Sequence, residues 1–256
     1  MTVLTTCALA TAVIAGARGT WSPCGLSMVS SINPFSEAAR GHRYGVTCAW
    51  FVLGALTGGV LLGAGTAVLA LALSPLPALG SAVAVGTLAA DLQLVRLPVH
   101  PRQVEETWLR TFRPWVYGAG FGLQIGVGFA TYIMTAATYL LVVLAALTGS
   151  PVVAIATGAT FGLVRGLAVL LGSGARTPAQ LRELHRRLAA LAPLSRRVVM
   201  VWEAAVAVLL AAAAAPVAGV LAVLLVLLLV GLGRRGPHPV VVVDVLLEPA
   251  AELRSG

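Results

Sequence analysis

The sequence contains no lysine, and charged residues of all kinds make up only 10% of its 256 positions. Soluble domains carry about 25% charged residues, so this scarcity excludes an ordinary water-soluble enzyme. The seventeen cations are all arginine, and with nine acidic residues they give a net charge of +8. The arginines lie between apolar stretches, as in membrane-protein loops, and not in a basic run interleaved with aromatic residues. This distribution predicts a lipid bilayer as partner and no nucleic acid.

Cysteine and histidine are scarce as well. The three cysteines exclude a disulfide-stapled secreted fold and leave room for one redox pair. All four histidines fall in predicted loops, and none has a second ligand at metal-binding spacing, so we predict neither a metal site nor a cofactor. No basic region precedes the apolar start, so the first segment is expected to be retained as a helix and not cleaved as a signal.

Long apolar runs dominate what is present. The uncharged stretches 44–90, 114–164 and 204–233 each exceed the roughly 20 residues that span a bilayer, and the first two are long enough for a helical hairpin. The sequence therefore predicts an all-α, polytopic membrane helical bundle. The predicted helical stretches are 3–32 (interrupted around Arg18 and Pro23), 44–73, 79–97, 115–148, 151–172 and 198–232.

Charge orients the predicted spans. The segments 33–43, 98–113 and 173–197 are net positive, whereas the turns 74–80 and 149–151 carry no charge. By the positive-inside rule the N-terminus lies outside the inner (plasma) membrane and the arginine loops lie in the cytoplasm. The last stretch, which contains Pro216, is either one kinked helix or a hairpin. Arg234 and Arg235 favour the hairpin, and so seven crossings over six.

The chain is interpreted as one transmembrane domain, 1–235, followed by a short cytoplasmic tail, 236–256, in which 240–245 could form a strand. Within 173–197, Thr177-Pro178 is a typical helix start, and leucines recur behind it at helical spacing. This pattern predicts an amphipathic helix on the inner membrane surface that contacts anionic lipid or, alternatively, a protein partner.

The two halves of the domain, 3–97 and 114–233, each open with a glycine-broken apolar segment and cross the membrane in opposite senses. This arrangement indicates a three-plus-three inverted repeat, whose broken helices would meet near the midplane and form the functional site. The alternative is that the glycines serve only to let helices pack closely.

A proline directly before a cysteine, at Pro23-Cys24, breaks an apolar helix and frees backbone carbonyls. Such breaks are tolerated in a bilayer only where protein or a water-filled cavity receives them. Cys24 is then a redox thiol, a member of a non-redox substrate cavity, or an inert packing residue.

The stretch Ser22-Pro23-Cys24, after a glycine-containing apolar lead-in, resembles the CcdA / DsbD transmembrane-domain family of cytochrome c biogenesis. The resemblance covers 8–33 by motif and 8–171 by architecture. It implies a carrier of reducing equivalents across the membrane, of thiol-disulfide oxidoreductase type, with a thioredoxin-like partner. Cys24 matches the family's first-helix cysteine, whereas 115–148 contains no cysteine to match the second. Cys48, at a similar predicted depth, is the substitute partner.

Four ionisable residues fall inside or at the edge of apolar spans, where charges are costly and tend to be paired or functional. Asp91, Arg165 and Glu203 are predicted to share one layer, with Arg165 paired to Glu203 or Asp91. This layer is either a structural clamp or a gate for protons or anions. Arg18 is expected to snorkel to the outer interface.

Polar side chains recur along the fourth segment, among them Gln124, Thr131 and Thr135. They form either part of a substrate path with Pro23 or hydroxyls that bond to backbone and neighbouring helices. Three functions remain open. The first is a membrane thiol-redox carrier in biogenesis. The second is a small-solute exporter on a similar scaffold, and the third is a membrane assembly factor without turnover.

Overall fold

A computed structural model describes residues 2–73, 76–95, 107–129 and 135–233, and throughout these ranges the chain forms helices and their connecting turns. Five of the described helical segments are long and apolar enough to cross a membrane. The prediction of an all-α, multi-pass membrane bundle is confirmed at this level. The helices are α1 Thr2–Arg18, α2 Pro23–Ser31, α3 Pro34–Ala39, α4 Tyr44–Ala72, α5 Pro77–Asp91, α6 Trp108–Thr111, α7 Pro114–Val127, α8 Ala137–Leu147, α9 Pro151–Leu167, α10 Pro178–Ala214 and α11 Pro216–Gly233.

Helix α4 is the centre of the bundle, and glycines on both sides of each contact bring its neighbours close. Along α7, Gly118, Gly122 and Gly126 face the carbonyls of residues 47, 51 and 55, so the two helices run parallel. Along α9, Gly158 and Gly162 face residues 59 and 55, so that pair runs antiparallel. A side chain at most of these glycines would collide with backbone, which is the small-residue packing expected in membranes.

Side-chain hydrogen bonds connect α10 to two helices from the first half of the chain. The hydroxyl of Ser81 on α5 donates to the carbonyl of Ala207 (2.8 Å), and Trp202 donates to Thr11 on α1 (2.8 Å). Both neighbours run antiparallel to α10. These contacts therefore join α1 and α5, from the first half of the chain, to α10.

The last apolar stretch forms a hairpin, which is the alternative that Arg234 and Arg235 favoured. Ala215 is extended, and Gly219 then packs on Ala212 across the turn. The far end of α11 reaches α5, where Gly233 lies against Leu92. The number of crossings stays a prediction. Residues 234–256, with the predicted strand and tail, lie outside the described residues.

The arginine-rich segment is helical, as predicted. Residues 178–197 form the first turns of α10, which runs without interruption from Pro178 to Ala214, and their contact with the membrane surface stays a prediction. Two hydrogen bonds join its first turns to the region after α1: Trp21 donates to the carbonyl of Leu188 (2.8 Å), and Ser30 on α2 hydrogen-bonds His185 (2.9 Å). Leucine spacing predicted the helix correctly; Leu188 is buried, whereas Leu191 is exposed.

Candidate functional site

The first apolar segment is broken between α1 and α2, as the sequence predicted. A 3-10 turn, Gly19–Trp21, follows α1, and Ser22 then caps α2 by accepting a hydrogen bond from the backbone of Gly25 (3.1 Å). The Ser22 hydroxyl donates to the carbonyl of Gly19 (2.7 Å). Pro23 therefore starts a helix, the position in which its missing N–H costs least. The Gly19 carbonyl, which the break leaves without its helical partner, therefore accepts a hydrogen bond from Ser22.

Cys24 and Cys48 belong to one buried apolar cluster, although they come from different helices. Their side chains pack there with Phe51 on α4 and Tyr117 and Phe121 on α7. Neither of them forms a disulfide bond in the part of the chain that the structure describes. Membership of one cluster is compatible with the predicted redox pair, and the pair itself stays a prediction.

Arg165 lies on α9 beside the break between α1 and α2, which we call the first break. Only 6% of its surface is exposed, and its guanidinium stands over the Phe161 ring at 5.5 Å from the centroid. An ideal Cβ built on Gly19 would lie 2.6 Å from Nε of Arg165. A small cavity of about 10 Å³ is lined by Arg165, Gly19, Thr20 and Gly25, together with apolar side chains.

The predicted ion pair of Arg165 is wrong. Within the described ranges Arg165 has neither Asp91 nor Glu203 within 4.0 Å, and its Nε has no hydrogen-bond partner. Chain distance from the loops predicted how far along its helix each charge lies. It could not predict the direction in which each side chain leaves the helix.

Asp91, the last residue of α5, instead caps α8. One carboxylate oxygen accepts from the backbone N–H of Ala136 (2.8 Å), and the other accepts from the hydroxyl of Thr135. The Asp91 carbonyl accepts from Arg196 on α10 (2.9 Å). A negative charge at the N-terminus of a helix interacts favourably with the positive end of the helix dipole. The start of α8, in the second broken segment, is thus capped by an acidic side chain from the first half of the chain.

Arg18 is buried and does not reach the outer interface, contrary to the sequence-based expectation. Its guanidinium donates to the hydroxyl of Ser195 on α10 (2.8 Å) and lies 6.0 Å from the Trp21 ring centroid. Because the chain turns directly after α1, the last residue of that helix points into the bundle.

Glu203 is fully buried on α10, and neither of its carboxylate oxygens has a hydrogen-bond partner among the described residues. A polar neighbour, Thr87 on α5, donates its hydroxyl to the carbonyl of Ala84 (3.0 Å). Glu203 and Asp91 therefore face the same α5–α10 contact, but Arg165 lies apart from both.

The predicted polar stripe is not continuous. Gly128, with φ of +79°, ends α7, and α8 begins only at Ala137. Gln124 is half-buried on α7, whereas Thr135 precedes α8 and binds Asp91. Thr131 lies outside the described residues. Helical spacing was measured across the end of α7, so Gln124 and Thr135 do not share one helix face.

Sequence reasoning missed a buried polar cluster around Glu37 on α3. Its carboxylate accepts from the hydroxyls of Thr47 (2.6 Å) and Tyr117 (2.8 and 3.0 Å) and forms an ion pair with Arg40. His42 lies 3.3 Å from the Tyr117 hydroxyl. The available signal was the Asn33-Pro34 helix start, which places a glutamate in the first turn of a short helix.

The fold and these contacts define a multi-pass α-helical membrane protein whose interior polar groups connect helices. Among curated proteins the chain is similar to the methylamine utilization protein MauF. It is 34% identical to the Paracoccus denitrificans protein over 180 residues, which cover 64% of this chain and 62% of the relative. The Paracoccus versutus protein is 33% identical over 166 residues, 60% of each chain. The Methylophilus methylotrophus protein is 29% identical over 168 residues, 62% of this chain and 59% of the relative.

The chain thus spans about three fifths of the length of the relatives that it matches, at 62%, 60% and 59%. No protein-family profile matches it, and no solved structure matches it significantly. The relatives bear the name MauF and not that of the CcdA / DsbD family, so the resemblance at Ser22-Pro23-Cys24 stays a prediction.

Proposed function

We propose that this chain is an integral-membrane accessory protein of methylamine utilization, acting in assembly without turnover of its own. The observation that carries the proposal is the 34% identity with a methylamine utilization protein over 180 residues. Those residues belong to a chain whose described part is a multi-pass helical bundle.

The interior supports an assembly role more than a transport path. Pro23, Gln124 and Thr135, the described members of the predicted substrate path, do not line the cavity beside Arg165. That cavity, of about 10 Å³, has room for one particle the size of water. Asp91 and Glu37 use their carboxylates to connect helices. Carboxylates that accept hydrogen bonds from neighbouring helices stabilise the bundle and are not available to bind a transported solute.

The same proposal includes the placement of the protein. We place it in the inner membrane with its N-terminus outside and its arginine-rich segments in the cytoplasm, by the positive-inside rule. Two features support an inverted repeat. Both halves contain a broken segment, and the helices that would correspond, α4 with α9 and α5 with α10, pack against each other.

Complementation tests the function. A Paracoccus denitrificans strain without its own MauF would receive this chain, and growth on methylamine would be measured. We expect growth to be restored by the chain and by its Gly65→Ala variant, since Gly65 faces open space. Gly122→Leu should fail, because Gly122 packs on the backbone of α4. Absence of growth at membrane levels equal to those of the native MauF would refute the proposal.

A thiol-redox role is the second candidate, and the shared cluster of Cys24 and Cys48 favours it. Mass-tagging of thiols after reduction and oxidation tests it in the same complemented strain. A reversible mobility shift that depends on both cysteines, together with loss of growth in the Cys24→Ala, Cys48→Ala double variant, would support a redox carrier. Full growth of that variant would leave only the assembly role.

A further inference from the structure

We propose that Arg165 and the first break form a binding site for one small inorganic anion of the size of chloride. The site consists of the guanidinium on α9, and Gly19, Thr20 and Gly25 line the same cavity.

The first argument is the charge of Arg165. A guanidinium remains protonated in proteins, so this side chain carries its charge into the bundle. Its Nε has no hydrogen-bond partner, and no acidic side chain among the described residues lies within 4.0 Å of the guanidinium, although only 6% of the residue is exposed. Burial of an unpaired charge is strongly unfavourable. The Phe161 ring supplies a partial cation–π contact, but it does not accept the Nε–H hydrogen bond.

The second argument is that the space beside Arg165 depends on two glycines. A Cβ at Gly19 would lie 2.6 Å from Nε, and a Cβ at Gly25 would lie 2.6 Å from the carbonyl oxygens of Gly19 and Thr20. Alanine at either position would therefore displace the guanidinium or fill the break. The 3-10 turn and the start of α2 keep this volume beside a buried cation.

The third argument concerns sign and size. Arg165 is the one charged side chain among the described residues that line the cavity. Gly25 belongs to the first turn of α2, a nine-residue helix whose dipole adds positive potential there, while its own N–H is donated to Ser22. A protonated amine would be repelled. The volume admits about one water-sized particle, which is too small for carboxylate and phosphate groups, so a halide is the common anion nearest to this size.

The test uses the purified full chain in detergent micelles. The thermal midpoint would be measured at constant ionic strength while gluconate is replaced by chloride or bromide. A ligand that binds only the folded state should raise the midpoint by about 3 °C for each tenfold increase above its Kd. We expect this rise in the native chain and in Arg18→Gln, whose guanidinium binds Ser195. Arg165→Gln should show no dependence on halide.

Equal midpoints in chloride and gluconate would overturn the proposal, as would a halide effect that persists in Arg165→Gln. If Cys24 already balanced the charge of Arg165, the native chain would show no halide effect, and a Cys24→Ala variant would acquire one; this result would also overturn the proposal. Should Arg165→Gln fail to fold, anomalous scattering from bromide in crystals of the native chain decides. A bromide beside the guanidinium supports the site, and an ordered Arg165 without one refutes it.

Discussion

The carboxylate of Asp91 lies 2.8 Å from the backbone nitrogen of Ala136, so the last residue of α5 caps the first turn of α8. A helix that begins inside a bundle leaves N–H groups without intrahelical partners, and these groups require acceptors. Asp91 supplies one from 45 residues away along the chain. The acid that the sequence suggested as a gate therefore explains how a broken membrane segment can start a helix within protein.

Replacement of Asp91 should destabilise the bundle. Asp91→Ala removes the acceptor and its charge, and we expect the free energy of unfolding to fall by about 1–2 kcal/mol. Asp91→Asn retains an acceptor and should lose about half as much. Unfolding in detergent with increasing denaturant measures both. Glu183→Gln, which removes an exposed acid from α10, is the matched control. Equal stability of Asp91→Ala and the native chain would contradict the cap.

Glycines on α4 that differ in their surroundings offer a second test. Gly58→Ala places a methyl group into the backbone of α7, and we expect a loss of about 3 kcal/mol from overpacking. Gly65→Ala, on the same helix with nothing within 4 Å, should be neutral or more stable by up to about 1 kcal/mol. The test is the thermal unfolding midpoint of each variant, measured together with that of the native chain. Similar changes in the two variants would mean that the close contact with α7 does not exist.

Glu37 should be required for the contact between α3, α4 and α7. Glu37→Gln replaces a charged acceptor by a group that also donates, opposite the hydroxyls of Thr47 and Tyr117. We expect a loss of about 3 kcal/mol. Tyr117→Phe, which leaves the other partners in place, should lose about 1 kcal/mol. Denaturant unfolding distinguishes the two, and a larger effect of the tyrosine variant would show that the carboxylate is not the centre of the cluster.

The thiols should resist modification in the folded chain. Cys7, Cys24 and Cys48 expose 3%, 1% and 4% of their surfaces. A bulky maleimide should therefore label none of them within minutes in mild detergent, and all three after unfolding in dodecyl sulfate. An added thiol at Arg186→Cys, a position with 80% side-chain exposure, is the control for reagent activity. Rapid labelling of Cys24 before unfolding would indicate a solvent path to the first break.

Helix positions and the two breaks could be predicted from the sequence, because apolar length and the residues glycine and proline act locally. The pairing of charges could not be predicted. The sequence gives the height of Arg165 along α9, but the side of the helix that faces Gly19 depends on how α9 packs on α4. Asp91 was expected to meet a cation side chain and instead meets a backbone N–H, a group that no sequence pattern marks.

The Glu37 cluster escaped prediction for a related reason. A single acid in a net-positive loop is typical of a solvated residue, and burial depends on Tyr117, which is 80 residues distant. The arginine-rich half of α10 was predicted to contact lipid or a protein partner because its leucines form one apolar face. Amphipathic spacing indicates that a helix has an apolar neighbour but does not identify it, and it does not mark polar contacts such as that of His185 with Ser30.

The two glycine faces of α4 have a consequence for how the chain is made. Both faces are covered by helices that lie later in the sequence, α7 and α9. When α4 leaves the ribosome, the surface that packs on α7 has no partner until residue 127 has been synthesised, and the surface that packs on α9 has none until residue 166. The first half of the chain therefore cannot complete its packing on its own. During synthesis α4 has to wait in the membrane or at the insertion machinery, and a fragment that ends before Pro114 should be degraded.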